Sequence, residues 1–240
     1  MVEIGGGLMR ISTSNLQNNF GKYLRQAIAG RDITITKNDR DVAKLVGIEN
    51  NKVKEAAEIY ASAFVTYEEF LKLDDGNRYE YIDGQVYMLS APRGDHQYIS
   101  NELAGEFRDY LKGKSCRAFT APFDVTFKID ENVDVVQPDI SIVCDLDKFD
   151  KDYKYLGVPS LVVEILSPST AKKDLYDKAK LYDLAGVKEY WIIDIKKKQA
   201  VIYNYDEDIN MSVFKYGEII VSTYFEGLEI NSKILFDLPI

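Results

Sequence analysis

The chain has 240 residues, 46% of them hydrophobic and 29% charged, with a net charge of −9 and a pI near 4.8. That composition supports a packed core and excludes a disordered chain, and no apolar run approaches the ~20 residues of a membrane span. Cys116 and Cys144 are the only cysteines and His96 the only histidine, so a disulfide framework and a Cys/His zinc site are excluded. No GxSxG is present, so a serine-hydrolase elbow is excluded too. MVEIGGGLMR lacks the basic start and apolar stretch of a secretory signal. Together with two thiols suited to a reducing compartment, this leads us to expect a cytoplasmic protein.

Charge is unevenly spread. Residues 1–60 hold nine Lys/Arg and seven Asp/Glu, a balance of +2, which leaves −11 for residues 61–240. The acidic total argues against a basic nucleic-acid clamp, but it does not decide what one cleft binds. Clustered carboxylates that hold metal ions would invert the local field.

Met9 to Ser12 reads as a short strand. Leu16, Phe20, Tyr23, Leu24, Ala27 and Ile28 then recur at helical spacing behind the N-cap-rich run Ser12 to Asn15, with Gly30 as the stop. Ile33 and Ile35 alternate with Thr34 and Thr36 as a half-buried strand, and Val42 to Val46 returns after a polar turn. Fewer than 50 residues bury little core alone, so this unit is expected to dimerise. Residues 50–63 read as a linker helix with Ala56, Ala57, Ile59 and Tyr60 on its apolar side. We therefore divide the chain into a module over 1–49, a linker over 50–63 and a larger domain over 64–240.

Thr66 and Glu69 form a capping box that opens a helix to Leu73. Asp83-Gly84 is a hairpin turn between strands Arg78–Ile82 and Gln85–Leu89. Asp95 is placed to cap a helix running to Leu111, with Ile99, Leu103, Phe107 and Leu111 on one face. Strands follow at Arg117–Thr120 and Asp124–Ile129. The apolar runs Asp139–Val143 and Leu161–Leu166 read as central strands. Ser169 or Thr170 caps a helix that ends at Gly186. Glu189–Ile193 and Ala200–Tyr205 are further strands, before a small antiparallel region.

The chemistry lies in charges placed inside apolar strands. Glu164 interrupts Leu161-Val162-Val163-Glu164-Ile165-Leu166, where an uncompensated carboxylate costs several kcal/mol, roughly 2–7. Asp139 opens the other apolar strand. Paired as antiparallel neighbours, the two strands bring both carboxylates to one end of a sheet, an oxygen-donor pair suited to Mg²⁺ or Mn²⁺. Asp174, Lys178 and Tyr182 follow at i, i+4 and i+8 and share one helical stripe. A lysine there can reach Glu164 and stabilise developing phosphate charge.

Two resemblances organise these residues. Met9-Arg10-Ile11-Ser12, Leu16, Tyr23-Leu24, Gly30, Ile33-Thr34-Ile35-Thr36-Lys37 and Val42-Ala43-Lys44-Leu45-Val46 resemble the Phd/YefM antitoxin domain. That resemblance implies a small dimeric α/β module that binds operator DNA; Lys22, Arg25, Arg31, Lys37 and Arg40 are the candidates for phosphate contacts. The pattern starts at Met9, which is also a candidate first residue of the protein.

The larger domain resembles the Uma-type restriction endonuclease family of the PD-(D/E)XK nuclease superfamily. The residues are Tyr79-Glu80-Tyr81-Ile82-Asp83-Gly84, Ser90-Ala91-Pro92 with His96, Pro138-Asp139-Ile140-Ser141, and Val162 through Thr170. Asp174, Lys178, Tyr182, Gly186-Val187 and Glu189 to Asp194 continue the match. It implies an α/β (α+β) core with a mixed central sheet and Mg²⁺-dependent (or Mn²⁺-dependent) DNA cleavage. Asp139 fills the PD aspartate and Glu164 the first position of the tripeptide, with the Ile165 carbonyl as a further metal contact. Leu166 stands where the superfamily has lysine, and Lys178 matches the position to which this subfamily moves it, with Lys173 and Lys180 as fallbacks. Glu80 matches an acidic position that implies a third metal or water ligand. His96, Lys173 and Lys180 are candidates for phosphate contact. The expected partners are DNA and a second copy of the chain. Two rivals remain open: a DNA-binding regulator or antitoxin with an inactive nuclease fold, and a fusion whose first 60 residues restrain the nuclease.

Overall fold

The computed structural model describes residues 9–18, 20–28, 31–38, 40–46, 65–130, 132–167, 174–206 and 210–238. The chain divides into two compact units: Met1–Asp75 with Asp83–Tyr87, and Gly76–Ile82 with Met88–Ile240.

In the first unit, strand β1 (Met9–Ser12) pairs in parallel with β2 (Ile33–Lys37), and β3 (Arg40–Leu45) pairs antiparallel with β2. Helices α1 (Thr13–Asn18) and α2 (Phe20–Ile28) form the connection between β1 and β2. The Ser12 hydroxyl accepts from the Asn15 amide at 3.1 Å, which satisfies a helix-start donor. Ile11, Tyr23, Ala27, Ile33 and Ile35 make the core. Phe20, Leu24, Val42 and Val46, all expected on buried faces, are exposed instead. A core of five side chains is too small to cover them. The Gly30 stop and the 50–63 linker helix lie outside the described residues.

The same unit holds α3 (Tyr67–Phe70), closed by the expected capping box: Thr66 Oγ1 accepts from the Glu69 amide and Glu69 Oε2 from the Thr66 amide. The helix ends three residues short of Leu73.

In the second unit, the main sheet has six strands in the order β13 (Asn210–Lys215), β12 (Gln199–Asn204), β11 (Glu189–Asp194), β10 (Leu161–Ile165), β9 (Ile140–Val143) and β6 (Arg117–Thr120). Only β10 and β11 run parallel, so the sheet is mixed. One face packs Ile140, Ile142, Leu161, Val163, Ile165, Trp191 and Ile193 against α4 (Gly94–Tyr110) and α6 (Ser232–Phe236). On the other face, Tyr190 meets Tyr182 of α5 (Ala179–Ala185) edge to face, and Tyr182 meets Phe127 of β7 (Val125–Ile129). There β8 (Asn132–Val136) lies between β4 (Arg78–Ile82) and β7. A two-stranded sheet of β14 (Ile219–Val221) and β15 (Glu229–Asn231) completes the unit.

Several local readings shift. Strand β5 (Gln85–Leu89) follows Asp83-Gly84, whose φ values of 54° and 78° are the two positive angles a tight hairpin turn needs. Helix α4 starts one residue before Asp95; Asp95 accepts from its neighbour His96's amide rather than capping the helix. Strand β8 was not foreseen, because Asn132 and Asp134 blur its alternation. Cys116 and Cys144, read as two thiols, form a disulfide with S–S 2.04 Å. They flank the Arg117↔Val143 pair of the β6–β9 ladder, so strand register brings them face to face.

Candidate active site

Glu164 and Asp139 are placed by strand register. Strand β9 pairs antiparallel with β10 as Leu161↔Ile142, Val162↔Ser141 and Val163↔Ile140, so the next residue on each strand is Glu164 and Asp139. Asp139 leans across the sheet end, where its Oδ2 accepts from the Ile165 amide at 2.7 Å. His96, in the first turn of α4, places Nε2 3.1 Å from the same Asp139 oxygen. The His96 Nδ1 atom is buried and has no hydrogen-bond partner.

Glu164 lies in a buried charge cluster. Its Oε1 accepts from Lys178 Nζ at 2.7 Å and from the Tyr182 hydroxyl at 2.6 Å. Lys178 Nζ also lies 2.7 Å from Glu80 Oε1 and 3.7 Å from Asp174 Oδ1. Glu80 Oε1 accepts from the Gln137 amide at 3.1 Å, which ties β4 to the segment entering Asp139. Exposure of Glu80, Glu164, Asp174 and Lys178 is 0, 4, 1 and 3%. Lys178 and Tyr182 reach one carboxylate because they stand one turn apart on a continuous helical path, a wider-wound turn over Asp174–Lys178 followed by α5.

The cluster holds more negative charge than its cation offsets. Burial pushes the Glu164 carboxyl well above its ordinary range; Lys178 opposes this, while Asp174, Asp139 and Glu80 push further up. For Lys178, burial pulls downward, but Glu164, Glu80 and Asp174 outweigh it and the ammonium is held charged. Burial also opposes charge on His96, yet the Asp139 hydrogen bond and charge and the Ile165 backbone raise it overall. Burial and the Glu164 charge hold the Tyr182 hydroxyl protonated, so it acts as a donor.

Among the described residues, no three His, Cys, Asp or Glu side chains form a ready-made metal cage. The donor chemistry nonetheless fits a small hard cation: two carboxylates at the adjoining ends of neighbouring strands, with a backbone carbonyl at Ile165 next to Glu164 in the chain. Mg²⁺ takes one or two protein carboxylates and keeps several waters. Excess buried carboxylate is the field such an ion would neutralise.

Of the residues singled out from sequence, Asp139, Glu164, Ile165, Lys178, Glu80 and His96 come together. Lys180 is exposed on α5, outside the buried cluster. Lys173 and the Ser169/Thr170 cap lie outside the described residues, as do the side chains of Lys22 and Arg25. Arg31, Lys37 and Arg40 are exposed on the first unit. Asp174 and Tyr182, which share a helical stripe with Lys178 in the sequence, also reach the cluster.

A mixed sheet with acidic residues at the adjoining ends of two central strands, and a buried lysine on the helical segment after the second, is the arrangement of a nuclease-like fold. Comparison with known proteins agrees. Residues 67–233 match the Uma2 family, described as "Putative restriction endonuclease", and the chain belongs to that family. Residues 9–61 match "Antitoxin Phd_YefM, type II toxin-antitoxin system". The chain is 29% identical over 152 residues to "Uncharacterized protein slr1290" of Synechocystis sp., covering 62% of this chain and 78% of that one. It is also similar in fold to the crystal structure of a putative nuclease belonging to DUF820 from Anabaena variabilis, with TM-score 0.60 and 23% identity. That match covers 72% of this chain and 98% of the other. No helix among the described residues is long and apolar enough to cross a membrane.

Proposed function

We propose that this protein is a metal-dependent endonuclease that hydrolyses DNA phosphodiester bonds, with an N-terminal module that dimerises and contacts DNA. The observation that carries the reading is the junction of Asp139, Glu164 and Lys178 at one end of the β9–β10 pair. Asp139, Glu164 and the Ile165 carbonyl would hold Mg²⁺ or Mn²⁺. A bound divalent ion polarises the scissile phosphate and lowers the pKa of attacking water.

The chain's own residues prepare that chemistry. Lys178 fixes the Glu164 carboxylate and brings a positive charge to the phosphate, where it stabilises charge that grows in the transition state. Glu80 and Asp174 keep that ammonium protonated and centred, so they act as positioning residues. Tyr182 donates to the Glu164 oxygen that Lys178 also holds, which leaves the other Glu164 oxygen for the ion. His96 faces the Asp139 oxygen that the Ile165 amide also holds, so it acts as a positioning residue for that carboxylate. Leu166 stands at the superfamily's lysine position, and in this reading Lys178 supplies the ammonium from the following helix.

The test is cleavage of supercoiled plasmid with Mg²⁺ or Mn²⁺ by the pure protein and by Glu164→Ala. Metal-dependent nicking lost in the variant is the expected result. The antitoxin-like match at residues 9–61 favours a second reading, a DNA-binding regulator with an inactive nuclease fold. Operator binding with no cleavage by the wild-type protein would replace the first reading with the second.

A further inference from the structure

The protein is acidic overall, yet the sheet end that carries Glu164 also carries a row of lysines. Strand β11 runs parallel to β10 with Glu164↔Ile192 and Ile165↔Ile193. Asp194 therefore passes the same end of the sheet as Glu164, and the turn Ile195-Lys196-Lys197-Lys198 caps it before β12 returns. Gln199 pairs with Lys215, so the far end of β13 joins the row. The Tyr216 amide donates to the Lys198 carbonyl at 2.9 Å, and Lys233 reaches toward Gly217.

Five lysines, at 196, 197, 198, 215 and 233, are exposed here. Three carboxylates accompany them, each engaged locally. Asp194 accepts from the Lys197 amide at 2.9 Å and lies 3.4 Å from the Lys197 ammonium. Glu218 accepts from the Lys215 amide at 2.6 Å, and Asp237 from the Tyr216 hydroxyl at 2.7 Å. Among the described residues, no carboxylate forms a salt bridge with Lys196, Lys198, Lys215 or Lys233.

A groove lined by Ile99, Ile195, Lys198, Phe236, Asp237 and Leu238 opens beside the turn, on the side of the sheet that α4 and α6 cover. Ile99 stands one turn along α4 from His96, the residue that touches Asp139. The opposite end of the sheet differs. There the β9–β10 connection holds Lys148, Lys151 and Lys154 among Asp145, Asp147, Asp150 and Asp152. Three consecutive lysines at a turn are ordinarily just a solvated hairpin tip. Their position beside the carboxylate pair, in a chain of net charge −9, is what a hairpin tip alone does not explain.

We propose that Lys196, Lys197 and Lys198, extended by Lys215 and Lys233, bind the phosphate backbone of duplex DNA to one side of the scissile bond. This rests on the nuclease reading of the Asp139–Glu164 site and adds the direction in which its substrate lies. Strands stand ~4.8 Å apart, so the row runs roughly 5–15 Å sideways from β10. DNA rises ~3.4 Å per nucleotide along a strand, so the row covers about three or four phosphates beyond the site. Ammonium groups on a flexible stem suit phosphate as point charges and carry no sequence readout.

The test is anisotropy of a fluorescein-labelled 24-base-pair duplex in Ca²⁺ over a salt series. The proteins are wild type, Lys196→Glu/Lys197→Glu/Lys198→Glu, and the matched-charge Lys148→Glu/Lys151→Glu/Lys154→Glu. Each lost phosphate contact lowers the slope of log K against log salt by about 0.9. The first triple variant is expected to bind at least ~30-fold more weakly at 0.1 M salt, with a slope smaller by about 2–3. Lys196→Gln/Lys197→Gln, which removes charge without adding repulsion, is expected to fall between that variant and wild type. The matched variant at the other end is expected to stay near wild type. Equal weakening by both triples would assign the effect to bulk charge and overturn the proposal. So would an unchanged slope in the first triple, or tighter binding of an RNA duplex than of the DNA. In each of those cases plasmid nicking abolished by Glu164→Ala would still stand, whereas a wild-type protein that neither binds nor nicks DNA would remove both readings.

Discussion

Replacing Lys178 with methionine tests whether the buried cluster is charged as the geometry requires. Methionine keeps nearly the length and the apolar stem, so packing loss is small. What goes is the cation 2.7 Å from Glu164, 2.7 Å from Glu80 and 3.7 Å from Asp174. Removing one partner from a buried ion pair costs about 3–5 kcal/mol, because charge remains uncompensated. In a domain of this size each kcal/mol moves the melting point by about 2–4 °C, so a drop of roughly 6–20 °C is expected at pH 8. The pH dependence has a definite sign. Glu164 in the folded protein already titrates above its unfolded value of ~4.3, so the folded state holds more protons as pH rises past that value. Stability therefore falls with rising pH until the raised folded value is passed, and losing Lys178 extends that fall. Thermal melts at pH 5 and pH 8 should show a larger deficit at pH 8. A deficit below about 2 °C at pH 8, or one equal at both pH values, would refute a buried charge cluster held by this lysine.

Glu164→Gln keeps shape and an oxygen for Lys178 and Tyr182 while removing one charge from a crowded set. Metal-free melting should then be no lower than wild type at pH 8, with plasmid nicking lost; destabilisation beyond ~2 kcal/mol would mean that the ion pair is worth more than its burial costs. Mg²⁺ at about 100 times its dissociation constant should stabilise the wild type by ~2.7 kcal/mol, and Asp139→Ala should cancel that gain in a thermal-shift titration. An equal gain in the variant would place the ion elsewhere. Glu189, fully buried in β11, accepts from Trp191 Nε1, the Ser222 and Thr223 hydroxyls and the Thr223 and Tyr224 amides. Glu189→Ala should cost at least ~3 kcal/mol in urea unfolding by stranding these donors, and a cost under 1 kcal/mol would show that water replaces the carboxylate.

Much of the active-site end was legible in the residue order. A carboxylate inside Leu161-Val162-Val163-Glu164-Ile165 and another heading Ile140-Ser141-Ile142-Val143 are local anomalies, and a short unbroken apolar run announces a strand buried on both faces without any knowledge of neighbours. The Thr66 capping box and the positive-φ turn at Asp83-Gly84 are equally local, since their hydrogen bonds or backbone angles close within four residues. The resemblance to a nuclease family drew on the same short motifs. Strand β8 escaped notice because Asn132 and Asp134 interrupt its apolar pattern, and only pairing with β4 and β7 makes it a strand.

What remained depended on pairing between distant segments, which periodicity does not encode. Among Lys173, Lys178 and Lys180, the approach of Lys178 to Glu164 follows from how the Asp174–Ala185 path lies on the sheet. Glu80 enters the same cluster from almost a hundred residues upstream because β4, paired with β8, carries it to Lys178. Cys116 and Cys144 meet only through the β6–β9 register. The amino-acid order alone determined which strands carry misplaced charge. Tertiary structure decided which charges share one end of the sheet, because strand direction and neighbour order come from burying the whole core at once.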